Sequence, residues 1–105
     1  MKYRTKVVVI EAEQLLAGEG ARAGLSIVKW IVTTSSQKVH LDQDGLMIET
    51  LEGWMRAGWG DFVIRGLAGE FYSCKAEMFA LKYEPADPDQ SLAYVESVAQ
   101  SQDPR

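Results

Sequence analysis

Eight side chains in the second half of the chain are of types that bind or react: Trp54, Arg56, Trp59, Asp61, Arg65, Glu70, Tyr72 and Cys74. An arginine offers a planar fork to a carboxylate or phosphate. A tryptophan offers a face for stacking on a base or for anchoring a protein interface. Trp54 and Trp59 flank Arg56 within the glycine-containing run Gly53 to Gly60, where exposed rings would serve either purpose and buried rings would simply cap the core. A four-residue turn, Gly66 to Gly69, predicts a hairpin in which Arg65 faces Glu70, Val63 faces Tyr72 and Asp61 faces Cys74. That register gathers Asp61, Arg65, Glu70, Tyr72 and Cys74 on one face, which could hold a polar small molecule with Arg65 on its anionic group. The plainer reading is a solvated sheet face with an Arg65–Glu70 pair worth under about 1 kcal/mol.

Other groupings fall short of catalysis. His40 lies close to Asp42 and Asp44, but no second histidine exists to complete a metal or acid–base site. Asp42-Gln43-Asp44-Gly45 begins like a calcium loop, yet the residue that would close it is Gly53 rather than an acid, so the segment reads as a turn. Cys74 has Lys75 beside it, but neighbouring strand residues point to opposite faces, which separates thiol from ammonium. Gly58-x-Gly60 and Gly66-x-x-Gly69 open no helix and so do not cradle a phosphate. No Ser/His/Asp set or carboxylate pair survives. The sequence therefore predicts no catalytic residues, no metal and no cofactor. Cys74 is the single cysteine, which rules out an internal disulfide and fits a reducing cytoplasm.

Charge divides the chain unevenly. Of 105 residues, 47% are apolar and 25% charged, as in soluble globular domains, and the net charge is -4. From Met1 to Tyr83 ten basic and ten acidic residues cancel, so the deficit lies in Glu84, Asp87, Asp89, Glu96 and Asp103 against Arg105. An acidic chain is no general coat for nucleic acid, although a local basic and aromatic edge remains open to it. The apolar run Val7 to Ile10 is too short for a signal peptide and no stretch suffices for a membrane span.

These elements must position the eight residues. Tyr3 to Glu11 reads as a strand buried on both faces, Leu16 to Gly24 as a flexible loop, and Leu25 to Thr33 as the main helix, with Leu25, Ile27, Val28, Ile31 and Val32 inward and Trp30 on the flank. Lys38 to Leu41 alternates weakly and Leu46 to Leu51 is a strand. A Glu52-Gly53 turn would set Leu51 opposite Trp54 and Glu49 opposite Arg56. Asp61 to Arg65 and Glu70 to Lys75 form the hairpin, with Phe62, Ile64 and Phe71 on its core side. Ala76 to Leu81 makes a helical turn burying Met78 and Phe79, and Tyr83 closes the sheet. The fold class is α+β: a bent, mostly antiparallel sheet of five or six strands on one main helix, within a domain of residues 1–84. Residues 85–105 form an acidic tail, partly helical or disordered, whose thin stripe Leu92, Val95, Val98, Ala99 could dock on the body or pair with a second copy.

The segments Ile48 to Gly53, Met55 to Ala57, Gly60 to Gly66, Gly69 to Lys75, Phe79 and Tyr83-Glu84 resemble a family of small phage- and prophage-encoded proteins over roughly residues 44–84. Three positions depart from that pattern: Trp59, Ser73 and Ala76 stand where the family tends to have proline. The resemblance implies an origin and a fold, but no activity or catalytic residues. With the absence of catalytic groupings and the surplus of aromatic and arginine residues near glycines, that origin leads to the expectation of a phage- or prophage-derived, non-enzymatic binding module in the host bacterial cytoplasm. Its partner would be a host or phage protein or a small anionic ligand, met through the Trp54/Arg56/Trp59 edge and the Arg65/Tyr72 face. Two other readings are a nucleic-acid module on a small bent sheet and a structural virion or assembly component, which would be homo-oligomeric through the tail.

Overall fold

The computed structural model describes residues 1–4, 8–86 and, as backbone, 93–96. The class is α+β, with every strand pairing antiparallel and the strands divided between two sheets instead of one. The large sheet has the order β6-β5-β1-β8-β7 and the small sheet β2-β3-β4. Their strands are β1 (Val8–Gln14), β2 (Val39–Asp42), β3 (Gly45–Thr50), β4 (Gly53–Ala57), β5 (Phe62–Arg65), β6 (Phe71–Cys74), β7 (Tyr83–Pro85) and β8 (Ala93–Glu96). The helices are α1 (Ala21–Thr34) and α2 (Ala76–Lys82). Among the described residues no helix is long and apolar enough to cross a membrane.

Both faces of the large sheet carry a core, because adjacent residues of β5 point oppositely. Val63 joins Phe71, Leu15, Ile27, Ile31, Leu46, Ile48 and Ala57 in a cluster shared by α1 and the small sheet. Ile64 joins Ile10, Ala12, Phe79 and Tyr83 on the other side, under α2. There Phe79 stacks on Phe62 with centroids 3.7 Å apart. Of the pair expected to be planted by that helix, Phe79 is buried and Met78 exposed. Strand β1 is one-sided at its start: Ile10 is buried and Val9 is 57% exposed.

Two departures trace to long-range contacts. The expected loop at Leu16 to Gly24 contains a 3-10 turn over Ala17–Glu19, and α1 begins at Ala21 after Gly20, whose φ of 54° few other residues tolerate. Gly24 sits inside the helix because a Cβ there would lie 2.6 Å from Leu41 Cδ1. The early start turns the buried stripe to Ala23, Gly24, Ile27 and Ile31, leaving Leu25 60% and Val32 53% exposed. Trp30 reaches the core, edge-on to Phe71 at 4.8 Å.

The tail contributes to the sheet. Ala93–Glu96 is a strand lying between β1 and β7, where a helical stripe was expected, and it pairs Val8 to Glu11 of β1. Unpaired backbone on β1 would be costly, and a strand satisfies it where a helix cannot. The rest of the expected tail, residues 87–92 and 97–105, lies outside the described residues.

Candidate functional site

Loop length decides which side chains share a face. The turn after β5 holds five residues, Gly66 to Glu70: Gly66 N–H donates to the Glu70 carbonyl at 2.7 Å, and Gly69 N–H to the Gly66 carbonyl at 3.0 Å. The extra residue moves the hairpin register by one, to Arg65↔Phe71, Ile64↔Tyr72, Val63↔Ser73 and Phe62↔Cys74. A slip of one reverses every side chain of the returning strand. Arg65 and Tyr72 therefore lie on opposite faces, Phe71 joins Val63 instead of Ile64, and the expected five-residue face does not form.

Its members have separate jobs. Arg65 meets Glu11 across β1 at 3.4 Å, not Glu70. Glu70 folds into its own turn, its Oε1 accepting from Ala68 N–H at 3.1 Å. Asp61 is only 8% exposed and its Oδ2 accepts from Gly58 N–H at 2.9 Å, with Lys75 Nζ 3.6 Å away. It holds the Gly58–Asp61 turn rather than a ligand. Tyr72 and Cys74 pack on the α2 side of the sheet. Burial pushes the Cys74 thiol above its ordinary value, which disfavours the thiolate a nucleophile needs.

The other three cluster around the small sheet. The β3–β4 turn is Leu51-Glu52, followed by Gly53 at φ 115°, giving Glu49↔Trp54 and Met47↔Arg56 instead of the expected Leu51–Trp54 and Glu49–Arg56. Thr50 Oγ1 closes this turn by donating to the Gly53 carbonyl at 2.7 Å. A shift of two preserves which face each residue occupies. Leu46, Ile48 and Ala57 point into the core, and His40, Asp42, Met47, Glu49, Trp54 and Arg56 form the outer face.

On that face Trp54 is 51% exposed, and its ring lies 5.4 Å from that of His40. Arg56 grips Asp42 with both arms of its fork, at 2.7 and 3.1 Å, and this bond holds the Asp42 carboxyl below its ordinary range. Asp42 Oδ1 also accepts from Asp44 N–H at 2.8 Å, fixing the β2–β3 turn. Trp59 stands apart: half-buried against the core, it donates its indole N–H to the Gln43 carbonyl at 2.8 Å. It caps the end of the core, and Trp54 alone of the two offers a free face.

Sequence reasoning missed two contributors. His40 is a surface strand residue whose contact with Trp54 needs the β2–β3–β4 register. Gln37, in the loop between α1 and β2, ties the two sheets together through its side-chain amide. No sequence signal marks it. Among the described residues, no three His, Cys, Asp or Glu side chains converge as a metal site. No protein-family model matches the chain, nor does any curated protein or solved structure.

With no cation beside it among the described residues to offset the effect, as Arg56 does at Asp42, burial acts against the charge of Glu13. It lies opposite Val63 on the α1 side of the large sheet, and desolvation raises its carboxyl above the ordinary range. The folded chain thus holds this proton more tightly than the unfolded chain. Its contribution to stability is full below the ordinary glutamate value of about 4.3 and is lost as pH rises through the folded-state value. Glu13→Gln is expected to raise the thermal midpoint near neutral pH and to flatten this part of the pH profile. An unchanged profile across mildly acidic melts would contradict the assignment.

Proposed function

We propose that the chain is a non-enzymatic binding module that engages a protein through the outer face of its three-stranded sheet, with Trp54 as the anchor. The observation that carries this reading is a half-exposed Trp54 steadied by His40 on a regular antiparallel sheet. A large ring held in place loses little freedom on binding, which is why tryptophans dominate protein interfaces. A small anionic ligand is less favoured, since Arg56 and Arg65 already face Asp42 and Glu11. Nucleic acid is less favoured too: Lys38, His40 and Arg56 on this face are interleaved with Asp42 and Glu49, leaving no continuous track for phosphates. The resemblance of residues 44–84 to phage and prophage proteins supports a host or phage protein as partner, met in the bacterial cytoplasm.

The test is affinity capture from host and phage-infected cells, followed by titration of the recovered partner against variants. Trp54→Ala is expected to weaken binding at least about tenfold with a melting temperature within a degree or two of wild type, because the ring lies outside the core. Equal affinity for Trp54→Ala removes the assigned face. A captured nucleic acid, with affinity falling steeply as salt rises, would favour the rival reading.

A further inference from the structure

Among the described residues strand β2 is an edge of the small sheet, with β3 on one side and no strand on the other. Glu49 N–H donates to the Lys38 carbonyl at 2.8 Å, and antiparallel hydrogen bonding alternates along a strand. Lys38, His40 and Asp42 therefore turn their backbone groups to β3, and Val39 and Leu41 turn theirs outward. Val39 and Leu41 sit on the core side of the sheet and Lys38, His40 and Asp42 on the outer side, so the run from Lys38 to Asp42 reads basic, apolar, histidine, apolar, acidic about His40.

We propose that two copies of this chain pair through β2, antiparallel, about a two-fold axis at His40. In this register Val39 of each copy lies opposite Leu41 of the other. These are the residues whose N–H and C=O groups point outward, so the two pairs exchange four hydrogen bonds. Lys38 of each copy lies opposite Asp42 of the other at the closer, non-hydrogen-bonded positions, which makes two ion pairs. The arrangement is isologous, so every contact occurs twice. Six strands become continuous, and the outer faces bearing Trp54 adjoin across the axis.

The apolar surface of α1 supports the same partner. Around the helix, Trp30 meets Phe71 of β6, Ile27 and Ile31 meet the central core, and Gly24 meets Leu41 of β2. Continuing in that sense at about 100° per residue, Val28, Val32 and Leu25 follow beyond Gly24. The exposed Leu25 and Val32 thus lie on the flank next to the open edge, where a second copy of α1 would cover them.

Sedimentation equilibrium of the full chain, from low-micromolar to near-millimolar concentration, tests the pairing. Wild type is expected to move from monomer to dimer. Lys38→Glu sets like charges opposite at two symmetric positions, and Asp42→Lys does the same with the opposite sign. Each should weaken dimerisation at least about tenfold. An equimolar mixture should recover a heterodimer, since Glu at 38 of one chain then faces Lys at 42 of the other and the native Asp42 and Lys38 face each other at the second position. Asp42→Lys also loses Arg56, so folding is checked by circular dichroism, and Val39→Pro provides a variant independent of charge. It removes an outward N–H and leaves the β2–β3 ladder intact. A wild type that stays monomeric overturns the proposal, as does a dimer that survives Val39→Pro; a mixture of folded charge variants that stays monomeric overturns the register. This result is independent of whether Trp54 binds a partner.

Discussion

Gln37→Ala is expected to lower the unfolding free energy by about 2–4 kcal/mol, an unusually large loss for a half-buried polar residue in a loop. The Gln37 amide stands in for a strand. Its Oε1 accepts from Phe71 N–H at 2.6 Å, and its Nε2 donates to the Phe71 carbonyl at 2.9 Å and the Glu49 carbonyl at 2.8 Å. Phe71 belongs to the edge strand β6 of the large sheet and Glu49 to the small sheet, so one side chain joins the two. Ser35 Oγ accepts from Gln37 N–H at 2.9 Å and steadies the loop that presents the amide. Truncation removes these three bonds, together with the one Ser35 Oγ donates to Oε1 at 3.3 Å, and leaves the backbone of Phe71 unsatisfied beside the core.

The chemistry of the amide gives a sharper contrast. Gln37→Glu keeps the length and the acceptor but turns the donor toward two carbonyls into a carboxylate. The expected loss near neutral pH equals or exceeds that of alanine, and it diminishes on acidification as the new carboxyl takes up a proton and can donate again. Urea melts at two pH values measure this, and hydrogen exchange at the Phe71 amide reports the joint directly. A change under about 0.5 kcal/mol for Gln37→Ala, as for an ordinary surface site, would show that the sheets are held without it.

Gly45→Ala and Gly53→Ala should differ sharply although both glycines follow a turn at similar φ, 122° and 115°. A Cβ at Gly53 meets nothing within 4 Å, so that substitution measures the cost of the backbone conformation alone, about 1–2 kcal/mol. A Cβ at Gly45 would run into the backbone carbonyl oxygen of Ala57 on β4. That oxygen is part of the chain in the neighbouring strand and cannot swing aside like a side-chain tip. Relief would require β3 and β4 to separate near the Leu46↔Ala57 pair, beside the buried core. Gly45→Ala is therefore expected to cost at least about 2 kcal/mol more than Gly53→Ala, read by chemical denaturation of both variants. Equal losses would mean that the strands part easily there.

Much of the architecture was legible because it depends on local pattern. The α+β class, the helix ending near Thr34, the Asp42–Gly45 turn and the alternation of β3 and β4 all follow from apolar spacing and turn residues. Even with the β3–β4 turn misplaced, the error of two left Trp54 and Arg56 on the correct, outer face. The hairpin after β5 shows the limit. A loop of four residues after Arg65, ending at Gly69, or of five, ending at Glu70, is equally plausible from composition, and the choice is made by a hydrogen bond from Gly66 to the Glu70 carbonyl. That single residue moved Tyr72 and Cys74 to the far side and dissolved a candidate site.

By itself, then, the sequence determined which residues prefer helix, strand or turn and which alternate in step, because those properties reside in neighbours along the chain. Only the tertiary structure decided that Asp61 is buried to hold a turn, that Gln37 bridges two sheets, and that Arg56 is committed to Asp42. Each of these rests on groups distant in sequence whose meeting depends on loop lengths and sheet register, and a residue's chemistry is set by what it meets.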